Sequence, residues 1–231
     1  MANEHTFVVN KKCPVCGMET PVIKVRSRLA TLGVDNDYCC HYRGINQYLY
    51  HIWVCEHCGF AADEKTFLSV LPERHKNAVS KFLQEKKVHF IFNEERSVPD
   101  GLASLQLALY CAEAMNTSLA RQAGMTLRMA WIYRMEKNQE KEREYMEKAL
   151  QLYERSLYTE RYPIDNLTDN MVMYLIGVTY SRLGNKEMAS QFISRLISDR
   201  SLKVNNSSLY KDAKTLWEDL RAEHKEEQKE N

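Results

Sequence analysis

Up to about residue 60, apolar and polar positions alternate in short runs, VIKVRSRLATL (22–32) and YLYHIWV (48–54), the period-two pattern of strands. From Thr66 onward the period lengthens to about 3.6, the spacing of a helix with one buried face. In TFLSVLPERHKNAVSKFLQEKK the apolar residues fall at Phe67, Val70, Leu71, Val79, Phe82 and Leu83. Pro72 is placed to open a helix that runs to about Lys87. The stretch NEERSVPDG (93–101) is polar, carries a Pro-Asp-Gly turn signal and reads as a linker. Helical patterns follow at 102–118, 121–137, 139–157, 168–183, 186–199 and 207–228, the last running into the charged tail HKEEQKEN.

Two of these segments have the spacing of a helix–turn–helix repeat. In MVMYLIGVTYSRLGNKEMASQFISRLI (171–197), Gly177 falls at a helix–helix contact, Tyr180 three residues later and Gly184 at the turn. Ala189 packs the two helices together, and Ile193 and Leu196 face the neighbouring repeat. The segment 126–153 puts Ala130, Tyr133, Met146 and Ala149 in corresponding places. It departs at Lys137 and Glu142, where Gly and a small residue are usual, so its turn is expected to be looser. An extension near LYTERYPIDNLTD separates the two units. The expected fold is mainly α: a small N-terminal four-cysteine zinc ribbon followed by tetratricopeptide-like antiparallel helix pairs, with a plain helical bundle as the alternative. The expected divisions are 1–65 for the ribbon module, 66–100 for a connecting helix and linker, and 101–231 for the helical domain.

Composition agrees with helix. Only 8 Gly and 5 Pro occur in 231 residues, well below average usage, which argues against a turn-rich β-sandwich. With 44% apolar and 27% charged residues the chain can bury a core, so global disorder is excluded. The 32 Lys+Arg nearly cancel the 31 Asp+Glu, leaving no overall basic field to attract nucleic acid or anionic lipid. No apolar stretch approaches the ~18 residues of a membrane span, and MANEHTFVVNKKC lacks the apolar segment of a secretory signal. A cytoplasmic location is expected.

The 7 cysteines are an odd number, which fits a closed disulfide framework poorly. Cys13, Cys16, Cys39, Cys40, Cys55 and Cys58 all precede residue 60; Cys111 sits in an apolar run and reads as a small buried hydrophobe. The motifs CPVCG (13–17) and CEHCG (55–59) repeat one pattern. Two thiolates two residues apart grip a metal from one side, and the following Gly supplies the positive φ of the turn. Together Cys13, Cys16, Cys55 and Cys58 make the closed four-thiolate shell of one structural zinc ion. A redox CxxC usually opens a helix in a βαβ context, which is absent here. Cys39, Cys40 and His41 read either as an extra ligand or reactive thiol, or as residues alternating in and out of a small core. His57 is expected to point away from the metal.

The chain also resembles a bacterial family of unknown function. The resemblance rests on CPVCG, KVRSRL, DNDYCCHYRGIN, WVCEHCGFAA and YLIGVTYSRLGN and covers residues 10–200. It departs at Gln47, where a Pro is expected after Asn46. The family pairs an N-terminal four-cysteine zinc-binding segment with tetratricopeptide-like helices. This implies metal positions at Cys13, Cys16, Cys55 and Cys58 and implies no activity.

Three classes of function follow. The first is a non-enzymatic interaction module, scaffold or adaptor, since stacked helix pairs build a groove for a peptide or partner helix. That groove would be lined by Leu127, Trp131, Arg134, Met135, Met171, Tyr174, Val178 and Arg182, with core packing the more ordinary role for Leu127 and Val178. Trp131, Arg134, Tyr174 and Arg182 are the candidate partner-binding residues. Their mixture of apolar and cationic groups suits an apolar helix or a peptide bearing an acidic group; self-association fits as well. The second is nucleic-acid binding through Lys24, Arg26, Arg28 and Arg43, with Tyr38, Tyr42, Tyr48 and Tyr50 for stacking. A ribbon that is net acidic once four thiolates hold zinc disfavours it. The third is a thiol enzyme using Cys39 or Cys40 beside His41. Motifs for other chemistries are missing, and a four-thiolate site leaves no open position for water.

Overall fold

The computed structural model describes residues 4–86 and 95–230, with side chains as far as residue 225. The expected helix end at Lys87, residues 93 and 94 of the expected linker, and the side chains of the tail beyond 225 lie outside the described residues. Three antiparallel hairpins form the N-terminal module: β1 (Thr6–Lys12) with β2 (Glu19–Val25), β3 (Thr31–Val34) with β4 (Cys40–Tyr42), and β5 (Ile52–Val54) with β6 (Ala61–Asp63). The expected strand over 48–54 begins only at Ile52. Ahead of it Gln47–Tyr50 forms a 3-10 turn, because the Asn46 side chain accepts a hydrogen bond from the Tyr48 amide at 3.0 Å.

Helices follow: α1 (Glu64–Phe67), α2 (Glu73–Lys86), α3 (Val98–Ala114), α4 (Leu119–Met135), α5 (Gln139–Thr159), α6 (Asp169–Arg182), α7 (Lys186–Ser198), α8 (Arg200–Asn205) and α9 (Ser207–Glu230). The start of α3 corrects the linker expected over 93–101. Ser97 and Asp100 form a capping box, and Pro99 lies in the first turn, where its missing amide costs nothing. Gly101 is a contact residue and not a turn residue. A side chain there would begin 2.5 Å from Leu49 Cδ2 and 2.9 Å from Leu49 Cα, so only glycine lets α3 lie against the 3-10 turn of the ribbon. Arg96, also within the expected linker, is buried and donates to the Leu49 and Ile52 carbonyls at 2.9 and 2.8 Å.

The helices pack in antiparallel pairs, α4 on α5 and α6 on α7, with α9 covering the last pair. Gly177 meets Ile193 as the repeat spacing anticipates: a Cβ there would lie 2.6 Å from Ile193 Cδ1. Ala189, Ile193 and Leu196 are fully buried with residues of α9 such as Leu209 and Ala213. A second cluster of buried side chains is continuous from Cys13 in the ribbon to Phe192 in α7. Cys111 belongs to it, and burial pushes its thiol up to about 11. Among the described residues no helix is long and apolar enough to cross a membrane.

The turns of the two pairs share one backbone path but differ in the residue that takes positive φ. After α6, Gly184 takes φ +85°; after α4, Lys137 takes φ +57° at the equivalent place. A side chain at positive φ is strained by roughly 1–2 kcal/mol. Lys137→Gly is therefore expected to stabilise the protein by about 1 kcal/mol in equilibrium urea unfolding. Unchanged or lower stability would show that the turn carries no such strain.

Candidate functional site

The two CxxCG motifs form matching knuckles. Cys13 lies just beyond β1 and Cys55 just beyond β5. In each knuckle the glycine amide donates back to the first cysteine's carbonyl, Gly17 to Cys13 at 3.0 Å and Gly59 to Cys55 at 2.8 Å. Gly17 and Gly59 both take φ +77°, which a side chain would strain. The first cysteine's amide closes each turn, Cys13 to the Met18 carbonyl and Cys55 to that of Phe60, both at 2.9 Å.

The knuckles face one another. Cys13 and Cys58 Sγ are 3.7 Å apart, as are Cys16 and Cys55 Sγ, and all four sulfurs lie within 4.8 Å of one another. Thiolates bound ~2.3 Å from one central ion in a tetrahedron stand about 3.8 Å apart, so this spacing fits a four-coordinate metal. The electrostatics ask for a cation as well. Hydrogen bonds from Cys13 and then Cys58 draw the Cys55 thiol strongly down, while sharing with Cys55 pushes Cys13 up to about 12. Sulfurs this close become four thiolates only around positive charge. His57 stays outside the cluster, its ring nitrogen 2.8 Å from the Glu19 carbonyl.

Cys39 and His41 meet a different fate. Their ligand atoms cluster with a carboxylate oxygen of Asp35 within 4.8 Å. His41 Nε2 lies 3.1 Å from Asp35 Oδ2, and Arg134 Nη1 lies 2.7 Å from the same oxygen. The guanidinium already supplies the positive charge a metal would bring. Cys39 has no exposed surface, and burial followed by the field of Asp37 pushes its thiol up to about 12. It is an interior thiol, far from the thiolate a nucleophile needs. Cys40 Sγ is 3.7 Å from the Tyr38 carbonyl.

The four candidate partner-binding residues do converge, on a segment of their own chain. The loop between β3 and β4 lays Asp35, Asn36 and Asp37 against α4 and α6. Asp37 is 1% exposed. It accepts from Trp131 Nε1 at 3.0 Å and from Arg134 Nη1 and Nη2 at 3.0 and 2.7 Å. Arg134 Nε also reaches Glu142 at 2.6 Å. Tyr174 OH donates to the Asn36 carbonyl at 2.8 Å, and Arg182 Nε donates to Asn36 Oδ1 at 3.0 Å. Tyr38 completes the seam, donating to Asp212 of α9 at 2.8 Å. The sequence identified the helix side of this clamp and missed Asp35–Asp37; their signal was an acidic run inside the long knuckle-to-knuckle insertion.

The basic stripe is less available than its spacing suggests. Lys24 pairs with Glu64 at 2.6 Å and lies over Trp53, and Arg26 lies over Phe7; Arg28 and Arg43 are exposed.

Removing a buried ion-pair partner leaves its mate uncompensated, at a cost of about 3–5 kcal/mol. Asp37→Ala is expected to lower stability by that amount in urea unfolding. A loss under about 1 kcal/mol would mean that the clamp adds little to docking of the ribbon.

Compared with known proteins, the chain has no significant match among curated proteins or among solved structures. One family does match, described as "Uncharacterized protein conserved in bacteria (DUF2225)", over residues 8–220. That span takes in both knuckles, the acidic loop and every helix of the clamp, and the chain belongs to that family.

Proposed function

We propose that the protein is a non-enzymatic interaction module, a scaffold or adaptor, built from a ribbon held by one structural zinc ion and a tetratricopeptide-like helix face that recognises an acidic segment. Four sulfur donors at tetrahedral spacing favour zinc, with iron as the other metal of such shells. Free thiols in this number suit a reducing cytoplasm. The observation that carries the binding reading is the clamp on Asp35–Asp37. Trp131, Arg134, Tyr174 and Arg182 hold an acidic stretch by its carboxylates, a backbone carbonyl and an amide, as a peptide groove holds its ligand. In this chain the loop is an internal occupant, and a partner's acidic segment competes for the same groups.

Two experiments test the two halves. Protein purified without added metal is expected to carry one zinc per chain by elemental analysis. Chelation should release four thiols to a chromogenic reagent. Iron in place of zinc, or fewer released thiols, would overturn the structural-zinc assignment.

For the groove, the probe is a fluorescein-labelled peptide copying residues 31–38, TLGVDNDY. It should bind the Asp35→Asn/Asp37→Asn double variant with a Kd below about 100 µM by anisotropy. Wild type should bind it far more weakly, because the internal loop competes at an effective concentration of roughly millimolar order. A double variant that retains wild-type circular dichroism yet ignores the peptide would refute the reading. So would equal binding of the neutral peptide TLGVNNNY. If the double variant does not fold, Asp35→Asn alone takes its place.

A further inference from the structure

Between the ribbon and the helices lies a cavity of about 440 Å³, apart from the cysteine cluster and bordered on one side by Asp37 and Trp131 of the clamp. Its volume falls in the range of small-ligand sites, roughly 300–1,000 Å³. Met115, Met125, Leu127, Met171 and Leu175 give it apolar walls. Lys65 of α1 and Arg121 of α4 both pair with Asp165, in the segment between α5 and α6, and these three line it too.

Several polar groups in this cavity keep hydrogen-bonding capacity that the described residues do not use. Tyr153 is 3% exposed, and its hydroxyl makes no hydrogen bond with any described residue. Thr117 Oγ1 is buried with no hydrogen-bond partner. Arg128 donates once, from Nη1 to the Gly124 carbonyl at 2.8 Å, and lies over the Trp131 ring. Among the described residues no carboxylate pairs with it. The carboxylates lining the cavity are committed elsewhere: Asp37 to Arg134, Asp63 to the cap of α1, and Asp165 to Lys65 and Arg121. His51 lines the cavity as well; burial first and the charge of Arg128 second push its imidazole down to about 3, so it is neutral.

Gly124 shows where a ligand atom fits. It sits inside α4, where glycine weakens a helix. A Cβ built there would lie 3.2 Å from Arg128 Nη1 and 3.6 Å from Tyr153 OH. The glycine leaves open a point that two donors address at once. A half-buried guanidinium with no carboxylate partner and a phenol hydroxyl facing the same opening both suit an anionic oxygen.

We propose that this cavity binds a small monocarboxylate with an apolar body, its carboxylate held by Arg128 and Tyr153 beside Gly124 and its body against the methionine-rich wall. This site borders the acidic-peptide groove at Trp131, but its carboxylate-holding residues Arg128, Tyr153 and Gly124 are not among the clamp residues, so its test does not depend on that reading.

The test is isothermal titration of the full zinc-loaded chain with 4-phenylbutyrate and octanoate, each beside its primary amide. Wild type is expected to bind at least one acid with a Kd below about 1 mM and the matching amide at least tenfold more weakly. Arg128→Met should weaken the acid by about tenfold or more, and Tyr153→Phe by a smaller factor. Gly124→Ala should abolish binding while the unfolding temperature holds or rises, because alanine is the better helix residue. That pairing separates a blocked site from a damaged fold. Failure of both acids to bind wild type would overturn the proposal. So would an amide as tight as its acid, or a Gly124→Ala chain that binds like wild type. Should Arg128→Met fail to fold, the Gly124→Ala and Tyr153→Phe results decide.

Discussion

A carboxylate with 1% of its surface exposed is the constraint around which this protein is arranged. Asp37 loses its hydration on folding, a loss of several kcal/mol for an ion placed in a protein interior. It persists there because both terminal guanidinium nitrogens of Arg134, the indole of Trp131 and the Cys39 amide meet its oxygens. Much else follows from satisfying it. Tyr38 adopts a positive φ so that the loop can turn back toward β4. The guanidinium that answers Asp37 is held in orientation through its Nε by Glu142 at the start of α5. Asp35 shares the arrangement: burial alone would raise its pKa, but hydrogen bonds from His41 and Arg134 outweigh it and hold the carboxyl below its ordinary value. Its contribution to stability is therefore complete above the ordinary carboxylate range and fades as pH falls through the lowered value.

The cysteine cluster works on the other end of the same chain segment. Cys16 and Cys55 are 39 residues apart, and their sulfurs meet. Bringing them together closes a long loop, whose entropic cost grows only with the logarithm of its length. The acidic segment lies inside that loop. The cysteine cluster on one side of the ribbon and an ion-pair network on the other thus hold the two ends of one segment. Gly101, pressed on Leu49, keeps α3 against the ribbon.

What the sequence disclosed was what repeats or alternates locally. The change from period two to period 3.6 located the ribbon and the helices, and the doubled CxxCG identified the four clustered sulfurs. The spacing of Gly177, Ala189 and Ile193 anticipated how α6 meets α7. Errors arose where one local signal serves two structures. Pro-Asp-Gly suits a turn and equally the first turn of a capped helix, and Ser97 decided between them. YLYHIWV alternates like a strand, yet the Asn46 side chain winds its first residues into a turn. The occupant of the groove was out of reach for another reason. Arg134 and Asp37 are 97 residues apart, and no spacing rule connects an acidic loop in one module to a cation in another. Sequence likewise hides the meeting of Arg128 and Tyr153 beside Gly124, since each is unremarkable on its own helix.

The position of the acidic loop in the chain has a consequence for how the protein is made. Synthesis proceeds from the N-terminus, and early segments fold before later ones exist. Asp35–Asp37 leave the ribosome well before Trp131, Arg134, Tyr174 and Arg182. The helices that form the clamp therefore meet a loop that has already been synthesised. Their cationic and aromatic groups have a counter-charge from the same chain available as soon as they form.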